Sequence, residues 1–574
     1  MIKRLLCLLL CAAMLLPFTA CDNDEATGDL FESLTETLLS PDATESETQP
    51  KAPEADPVPL GIVKDELIYL FEGENQRLRY LIDANGVKNP EAGDIVWTST
   101  SDAVRVKNGI VYAEKQGYAY VSGGDDTKCL VRVLPKNMPE LSVDTGGVAV
   151  KRDESNPDVY VSCTVSLTAD THAAFNLSNE VAGIRVRGNS TARAEKAPYR
   201  LKFGSDVNLL GIHEGKEFKN WVLLSDPYDD SMIRNTTALT LASFVVDNYS
   251  ADWRYVKLTL NGEYRGVYVL TEQSQIDENR INIEEAGTET TDVMSGYLME
   301  MDGSPPHTTD KIRLSYEDMT ITTFHGKLYN NPTIQYNTTD RAVKEIDISI
   351  KNDDLTVEQD AFIRKYMQNV FQIIYSATQE DIYYELDKDF NLKQNPTGNS
   401  KDTLSKIIDI DSLIRMLIHS ELVSNNDQTK KSFYMWVDFS KDGSGLLTFG
   451  CPWDFDSAFC GYKSYNFQRI DYIFAAKRNP WYVMISRCTW FREEVCRVWD
   501  EVYEASNGFQ NVSRVLDGIV ANYKDEIDED AKLWKRTHDH EEYAVKTRDW
   551  IEAHIDWLNT HYDTANEKSK WLYP

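Results

Sequence analysis

The sequence predicts an α+β fold: a small all-β sandwich, then a larger domain whose first half is β-rich and whose second half is helical. Three observations predict it. Residues 60–135, and again those from 141 onward, alternate apolar and polar side chains in short runs broken by Gly, Asn and Asp, as half-buried strands do. Beyond Asp471, apolar and aromatic residues recur at helical spacing to about Tyr562. At 574 residues the chain is too long for one ordinary core, so more than one domain is expected.

The net charge is −32, from 60 basic and 92 acidic residues, so no basic face for nucleic acid and no nucleic-acid partner are expected. The excess fits a soluble, self-repelling surface. At the start, Lys3 and Arg4 precede an apolar run over 5–16 that is too short to span a bilayer, which reads as a secretory signal. It closes on Pro17-Phe18-Thr19-Ala20-Cys21, which resembles a bacterial lipobox; an ordinary signal peptide with an incidental cysteine is the alternative. The resemblance implies a signal peptide over 1–20, lipidation of Cys21 and a membrane tether there. Asp22, Asp24 and Glu25 resemble the acidic export tag of surface lipoproteins of Bacteroidetes, which implies an exported outer-membrane lipoprotein exposed on the surface.

Residues 21–58 hold eleven acids against one Lys, too polar to offset their ordering entropy, so they form a flexible linker. In 59–136, Trp97-Thr98-Ser99 with Ser101-Asp102 leads to Val104 and Val106, then Asn108-Gly109 with Val111, then Gly117, Ala119 and Val121. Asn-Gly needs positive φ and marks a hairpin, and the alternating aliphatic residues build a sandwich core. This order resembles the group 2 bacterial immunoglobulin-like domain, which implies an Ig-like β-sandwich acting as a spacer or adhesion module.

The larger domain, expected over 137–565, opens with strands. A strand over 182–187 runs into the turn Gly188-Asn189-Ser190-Thr191. The next strand, 198–203, sets Arg200 and Lys202 on one face and Tyr199, Leu201 and Phe203 on the other. A turn of small residues between Arg187 and Lys202 can hold phosphate oxygens through backbone N–H groups and two cations; a cationic strand face in an acidic protein is the alternative. A strand over 220–225 follows, then a helix from about 232 to 246 capped by Asp229 or Ser231. Strands 255–260 and 264–271 flank Asn261-Gly262 as a hairpin. Residues 295–302 read as a strand and 360–378 as an amphipathic helix.

A helix over 410–422 buries Ile410, Leu413, Ile414, Leu417 and Ile418 and ends in the polar turn Ser424-Asn425-Asn426-Asp427. A hairpin of 432–437 and 445–450 then delivers Cys451-Pro452-Trp453-Asp454-Phe455-Asp456. Two carboxylates around one aromatic at the end of a buried strand must stay ionised at an apolar edge, which is costly unless they are paired or bind a metal. The pattern is that of a divalent-cation site, with the Mg2+-binding Asp-Phe-Gly of phosphotransferases as one precedent; a capped turn is the alternative.

Cys129, Cys163, Cys451, Cys460, Cys488 and Cys496 show no Cys-x-x-Cys spacing, so no structural zinc site is expected. Cys451 and Cys460 bracket the acidic stretch, and a disulfide between them would brace it. His538-Asp539-His540 reads as an exposed pair in a charged loop, and Trp490, Trp499, Tyr503, Trp550 and Trp557 as helical core. Residues 566–574 are a tail.

Over about 139–560 the order of parts resembles the spore coat protein H (CotH) kinase-like family, a group of atypical protein kinases. The matching pieces are Arg187-Gly188-Asn189-Ser190-Thr191, Pro198-Tyr199-Arg200-Leu201-Lys202, Lys219-Asn220-Trp221 and Met232-Ile233-Arg234-Asn235. Then come Leu260-Asn261-Gly262 with Thr271-Glu272, Gly296-Tyr297-Leu298-Met299-Glu300-Met301-Asp302, Asn426-Asp427 and Pro452-Trp453-Asp454-Phe455-Asp456. The resemblance implies an atypical protein-kinase-like bilobal domain, with a β-rich N-lobe and a helical C-lobe. It implies transfer of the ATP γ-phosphoryl group to Ser or Thr of a protein substrate, with Mg2+ or Mn2+.

In that scheme Lys202 holds the α- and β-phosphates beside the turn of Arg187, Gly188, Asn189 and Ser190. Asp427 orients the acceptor hydroxyl, Asp454 binds the metal, and Asp456, at the Gly position of Asp-Phe-Gly, joins it. Ser432 stands where a kinase catalytic loop places its metal-binding Asn, which leaves Asn426 as a substitute ligand. The helix over 232–246 offers no Glu to pair with Lys202, which leaves Glu272 and Glu300. Two other readings stand beside this one. The first is a non-catalytic surface-anchored binding protein that keeps the kinase-like fold, with the acids as a structural metal site. The second is an enzyme acting on a polysaccharide or phosphate-bearing polymer.

Overall fold

The computed structural model describes residues 67–562 apart from 80–95, 124–127, 154–155, 157, 170, 289, 303–310, 317, 325–327, 330–339 and 462–463. The expected signal peptide, Cys21, the acidic linker and the tail over 566–574 lie outside the described residues.

Seven short strands come first: β1 (Leu67–Phe71), β2 (Asn75–Arg77), β3 (Thr98–Ser99), β4 (Val104–Lys107), β5 (Ile110–Ala113), β6 (Gly117–Ser122) and β7 (Cys129–Leu134). They make two sheets, ordered β1-β7-β6-β3 and β2-β5-β4, around a core that includes Ile68, Leu70, Val104, Val111, Val121 and Val131. Asn108 and Gly109 take the φ values of 51° and 68° that their hairpin turn requires.

Seven more strands close into a barrel: β8 (Glu140–Asp144), β9 (Val161–Thr168), β10 (Leu177–Val186), β11 (Tyr199–Val207), β12 (Phe218–Leu224), β13 (Trp253–Leu260) and β14 (Glu263–Glu272). Their order around it is β10-β11-β12-β14-β13-β8-β9, and closure leaves no sheet edge exposed. Alternation sends Tyr199, Leu201 and Phe203 of β11 into its core with Ile184, Trp221 and Leu270.

Helix α1 (Arg234–Val245) leaves the barrel after β12. Asp229 caps it, its Oδ2 accepting from the Ile233 and Arg234 N–H groups at 2.9 and 3.0 Å. The helix begins later than expected because Met232 holds a φ of 58°. A five-stranded sheet follows, built from β15 (Gly296–Met301), β16 (Lys311–Leu314), β19 (Ile346–Ile350), β22 (Phe433–Asp438) and β23 (Thr448–Pro452) in the order β16-β19-β15-β22-β23. Two separate pairs are β17 (Ile321–Phe324) with β18 (Asp340–Val343), and β20 (Tyr384–Leu386) with β21 (Leu392–Gln394).

The remaining helices are α2 (Val357–Tyr375), α3 (Ser400–Leu404), α4 (Ile410–Val423), α5 (Pro480–Ile485), α6 (Thr489–Ala505), α7 (Gln510–Leu533) and α8 (His540–Tyr562). Helix α2 starts before residue 360 because Thr356 and Gln359 form a capping box upstream of the apolar periodicity. Helix α4 packs between α1, α6 and β23, and so fixes the turn at its end against the acidic stretch.

The fold is α+β, as the strand and helix patterns predict, and the N-terminal sheets are joined to the rest. Phe71 of β1 meets Tyr523 of α7 edge-on at 5.7 Å. Gly518 makes this possible, since a Cβ there would stand 2.1 Å from the Phe71 ring. Arg132 of β7 pairs with Glu214 at 2.7 Å.

The expected Cys451–Cys460 disulfide does not form, and both are free, buried thiols. Cys451 faces Ser274 whereas Cys460 faces Arg234, so they point to different partners. His540 is a second correction. It is buried, with Nδ1 2.6 Å from the Ser231 carbonyl, and only His538 keeps solvent contact, stacked on Tyr465 at 3.5 Å. Among the described residues, no helix is long and apolar enough to cross a membrane.

Candidate active site

Strand β23 delivers the acidic stretch to the wall of a cavity of about 340 Å³. The chain leaves the sheet through Asp454, whose φ of 62° lies in the left-handed region that Asp tolerates better than most residues. Asp454, Phe455 and Asp456 all line the cavity, although Phe455 is buried and packs edge-on against His419 of α4 at 5.4 Å.

The turn after α4 supplies the second wall. Asn425 ties the two walls together, donating from Nδ2 to the Asp454 carbonyl at 2.8 Å and accepting the Asp427 N–H at 3.1 Å. Asp427 Oδ2 lies 3.0 Å from Lys431 Nζ and accepts from Ser457 Oγ at 3.2 Å. The same Lys431 Nζ stands 3.9 Å from Asp454 Oδ2, which accepts from Ser432 Oγ at 2.9 Å. One ammonium therefore bridges the two carboxylates predicted to act in phosphoryl transfer. Burial and the Asp454 charge raise the Asp427 carboxyl above its ordinary range, with Lys431 pulling it back. Burial would lower the Lys431 ammonium, but Asp454 and Asp427 outweigh it and raise it.

The barrel supplies the third wall. Arg187, Gly188, Asn189 and Ser190 line the cavity at the end of β10. Gly188 takes a φ of 89°, and a Cβ there would lie 2.3 Å from Thr191 Oγ1, so the turn requires glycine. The Arg187 guanidinium lies over the Trp453 ring at 5.4 Å; burial lowers its pKa, partly offset by Asp454. From the five-stranded sheet come Glu300 and Lys351, paired at 2.6 Å.

Two acids close the floor. Asn235 Nδ2 donates to Asp456 Oδ1 at 3.0 Å and to Asp226 Oδ1 at 2.8 Å. Burial, then Asp454 and Asp226, push the Asp456 carboxyl well up. Burial, then Asp229, push the Asp226 carboxyl up to about 6.

Three expected site residues stand elsewhere. Lys202 is exposed on the outer face of the barrel, opposite Gly183 and Asn220, and does not line the cavity, because the inner face of β11 is filled by Tyr199, Leu201 and Phe203. Glu272 is buried at the end of β14, where its Oε2 accepts the Asp252 N–H at 2.8 Å and lies 3.3 Å from His213 Nδ1, while Arg280 Nε lies 3.6 Å from Oε1. These contacts hold it at the barrel end, away from the cavity. Asn426 does not line the cavity, and its Oδ1 is engaged by Arg478 Nη1, from which it accepts at 2.7 Å.

No sequence pattern marks Lys351, Lys431 or Asp226 as site residues. Asp226 had a local signal, since Asp-Pro after a strand marks a turn, but that signal carries no chemistry.

Among the described residues, no three His, Cys, Asp or Glu side chains form a group that can hold a metal ion by themselves. Mg2+ does not need such a cage, since one or two carboxylates plus phosphate oxygens suffice. The hard oxygen donors of Asp454 and Asp456 fit that requirement, and the Asp456 carboxylate meets the Asn235 amide rather than a cation.

No curated protein matches the chain. The profile of the CotH kinase protein family matches residues 184–568, more than half of the chain and a span that contains every cavity residue named above. The chain belongs to the CotH kinase protein family.

Proposed function

We propose that this protein transfers the γ-phosphoryl group of ATP to a Ser or Thr hydroxyl of a protein substrate, with Mg2+ or Mn2+. Kinase-like activity, with ATP and a divalent metal in general, follows from family membership at the level of the family. The observation that carries the finer reading is Lys431 bridging Asp427 and Asp454 in the same cavity as the 187–190 turn.

Asp427 accepts the hydroxyl proton as the hydroxyl oxygen bonds to the γ-phosphorus. The bond to the β,γ-bridging oxygen breaks and ADP leaves. A carboxyl raised by burial is the better proton acceptor, and Ser457 and Lys431 hold it in place. Arg187, Lys351 and Lys431 offset the phosphate charge, and the backbone of residues 188–190 offers N–H groups. Asp454 and Asp456 hold the divalent cation, which supplies charge neutralisation at the phosphate oxygens when bound.

The test is transfer from γ-labelled ATP to a Ser-rich protein by the purified chain with Mg2+, beside Asp427→Ala and Asp454→Ala. Both variants are expected to lose at least about a hundredfold in rate. Transfer that survives both substitutions would sink the assignment.

We also propose that the enzyme works outside the inner membrane, tethered by lipid at Cys21. The support is the lipobox-like sequence over 17–21 and the acidic linker behind it. A Cys21→Ser variant is expected to lose incorporation of labelled fatty acid; incorporation that persists refutes the tether.

A further inference from the structure

Asp226 lies in the loop between β12 and α1, and the residue is 1% exposed. One amide nitrogen, Asn235 Nδ2, holds its Oδ1 at 2.8 Å and Asp456 Oδ1 at 3.0 Å, so two buried carboxylates face each other across a single donor. Asn235 is itself fixed, because its Oδ1 accepts the Phe455 N–H at 3.1 Å.

The second oxygen of Asp226, Oδ2, is buried and accepts no hydrogen bond, and the residue lines the cavity. The nearby cations are committed elsewhere. Lys196 Nζ binds Asp530 Oδ1 at 2.6 Å. Arg536 donates to Asp530 Oδ2 at 2.9 Å and to the backbone carbonyls of Asp226 and Asp229 at 2.8 and 2.9 Å. A buried carboxylate oxygen with no donor is costly unless a ligand completes it, and two anionic oxygens on one cavity floor call for a cation.

We propose that Asp226 and Asp456 together form a divalent-cation site on the cavity floor, with Asn235 as the positioning residue that sets their spacing. The inference rests on the phosphotransfer reading only for the phosphate that completes the coordination. It takes Asp226 from the barrel side, a ligand that the Asp454-Phe455-Asp456 pattern does not contain, and is a second cation position that shares Asp456 with the first. Hard carboxylate oxygens without sulfur or imidazole suit Mg2+ or Mn2+, and two carboxylates are as many protein ligands as Mg2+ usually takes. Metal binding would then join the loop after β12 to the acidic stretch.

Mn2+ binding to the full chain, read by electron paramagnetic resonance with and without a non-hydrolysable ATP analogue, tests this. Asp226→Asn is expected to weaken Mn2+ binding about tenfold or more and to remove the metal-induced rise in thermal midpoint. Without metal it is expected to melt no lower than wild type, since Asn keeps an acceptor for Asn235 and removes a like charge. Mn2+ binding unchanged in Asp226→Asn overturns the site while leaving the phosphotransfer reading in place. A metal-free variant that melts well below wild type also overturns it, because Asp226 would then serve the fold. Wild type that binds Mn2+ through Asp226 but transfers no phosphate overturns the phosphotransfer reading and keeps the site.

Discussion

Lys351 Nζ lies 2.6 Å from Glu300 Oε2 on the wall of the cavity. The two come from adjacent strand ends of the five-stranded sheet, Glu300 within β15 and Lys351 just after β19. Burial pushes the Glu300 carboxyl up and Lys351 pulls it back, so the pair is held together by charge at the edge of solvent. A lysine bound to a glutamate in the same cavity as Asp454 and Asp456 is, under the proposed phosphotransfer, the one to meet phosphate oxygens, and it is not the lysine that the strand pattern pointed to.

Lys351→Met is therefore expected to lower kcat/KM for ATP by roughly a hundredfold, the scale of losing one charge-stabilising donor. Lys202→Met, an exposed change away from the cavity, is expected to stay within about twofold of wild type. Steady-state kinetics on both variants decides it. A large loss in Lys202→Met with Lys351→Met near wild type would reverse the assignment.

Gly188 is the next test of the cavity wall. With a φ of 89° and Thr191 Oγ1 at 2.3 Å from any Cβ, Gly188→Ala is expected to cost about 1–2 kcal/mol in stability and to distort the 187–190 turn. The KM for ATP should rise several-fold. Gly262→Ala is the control, since Gly262 has a φ of 78° in the β13–β14 turn with nothing within 4 Å. It should destabilise by a similar amount and leave the KM alone. Equal effects of both on KM would mean that the turn does not touch nucleotide.

The acidic stretch was readable because its signal is local: two carboxylates and an aromatic directly follow a strand whose burial is obvious from composition. The barrel strands were readable for the same reason, through alternation and the Asn261-Gly262 turn. Lys202 shows where that logic stops. Alternation says that Arg200 and Lys202 share a face, but only barrel closure decides that this face is the outside, and only register places Lys202 opposite Gly183 and Asn220, away from the cavity. Glu272 failed similarly. A Glu at a strand end looks available until His213 and the backbone of Asp252, both remote in sequence, are folded onto it. Lys351 carries no local pattern and the Asp-Pro turn signal at Asp226 carries no chemistry, since Lys351 meets Glu300 and Asp226 meets Asp456 only through the fold.

Asn425 is the link between the two acidic segments that engages the backbone of both, and it is 2% exposed. Asn425→Ala removes its bonds to the Asp454 carbonyl and the Asp427 N–H, leaving one buried acceptor and one buried donor unmet. The expected cost is about 2–4 kcal/mol in unfolding free energy. Because the change loosens Asp427 relative to Asp454 without touching Arg187, Lys351 or Lys431, kcat should fall more than KM rises. Denaturant unfolding and initial rates on the same preparation separate the two effects. A variant with lost stability but unchanged kcat would show that Asn425 serves the fold alone.

Glu421, on the last turn of α4, gives the site a pH signature. Its carboxylate is fully buried and accepts the Phe474 N–H at 2.6 Å and the Ala476 N–H at 2.8 Å. Burial pushes the carboxyl from 4.5 up to about 7, against the pull of those N–H groups and Lys477. The folded state thus holds this proton more tightly than the unfolded chain does. The resulting stabilisation is complete below about pH 4.5, shrinks as pH rises through the window up to about 7, and is absent above it. The full span corresponds to at most about 3 kcal/mol. Glu421→Gln cannot titrate, so the stability of wild type minus that of the variant isolates the effect. Urea unfolding of both proteins at intervals from pH 4.5 to 8 should show that difference falling with rising pH and levelling off above about 7. A difference that rises with pH would mean that the two N–H groups win over burial, and that α4 holds the Asn425–Asp427 turn through a charged anchor rather than a protonated one.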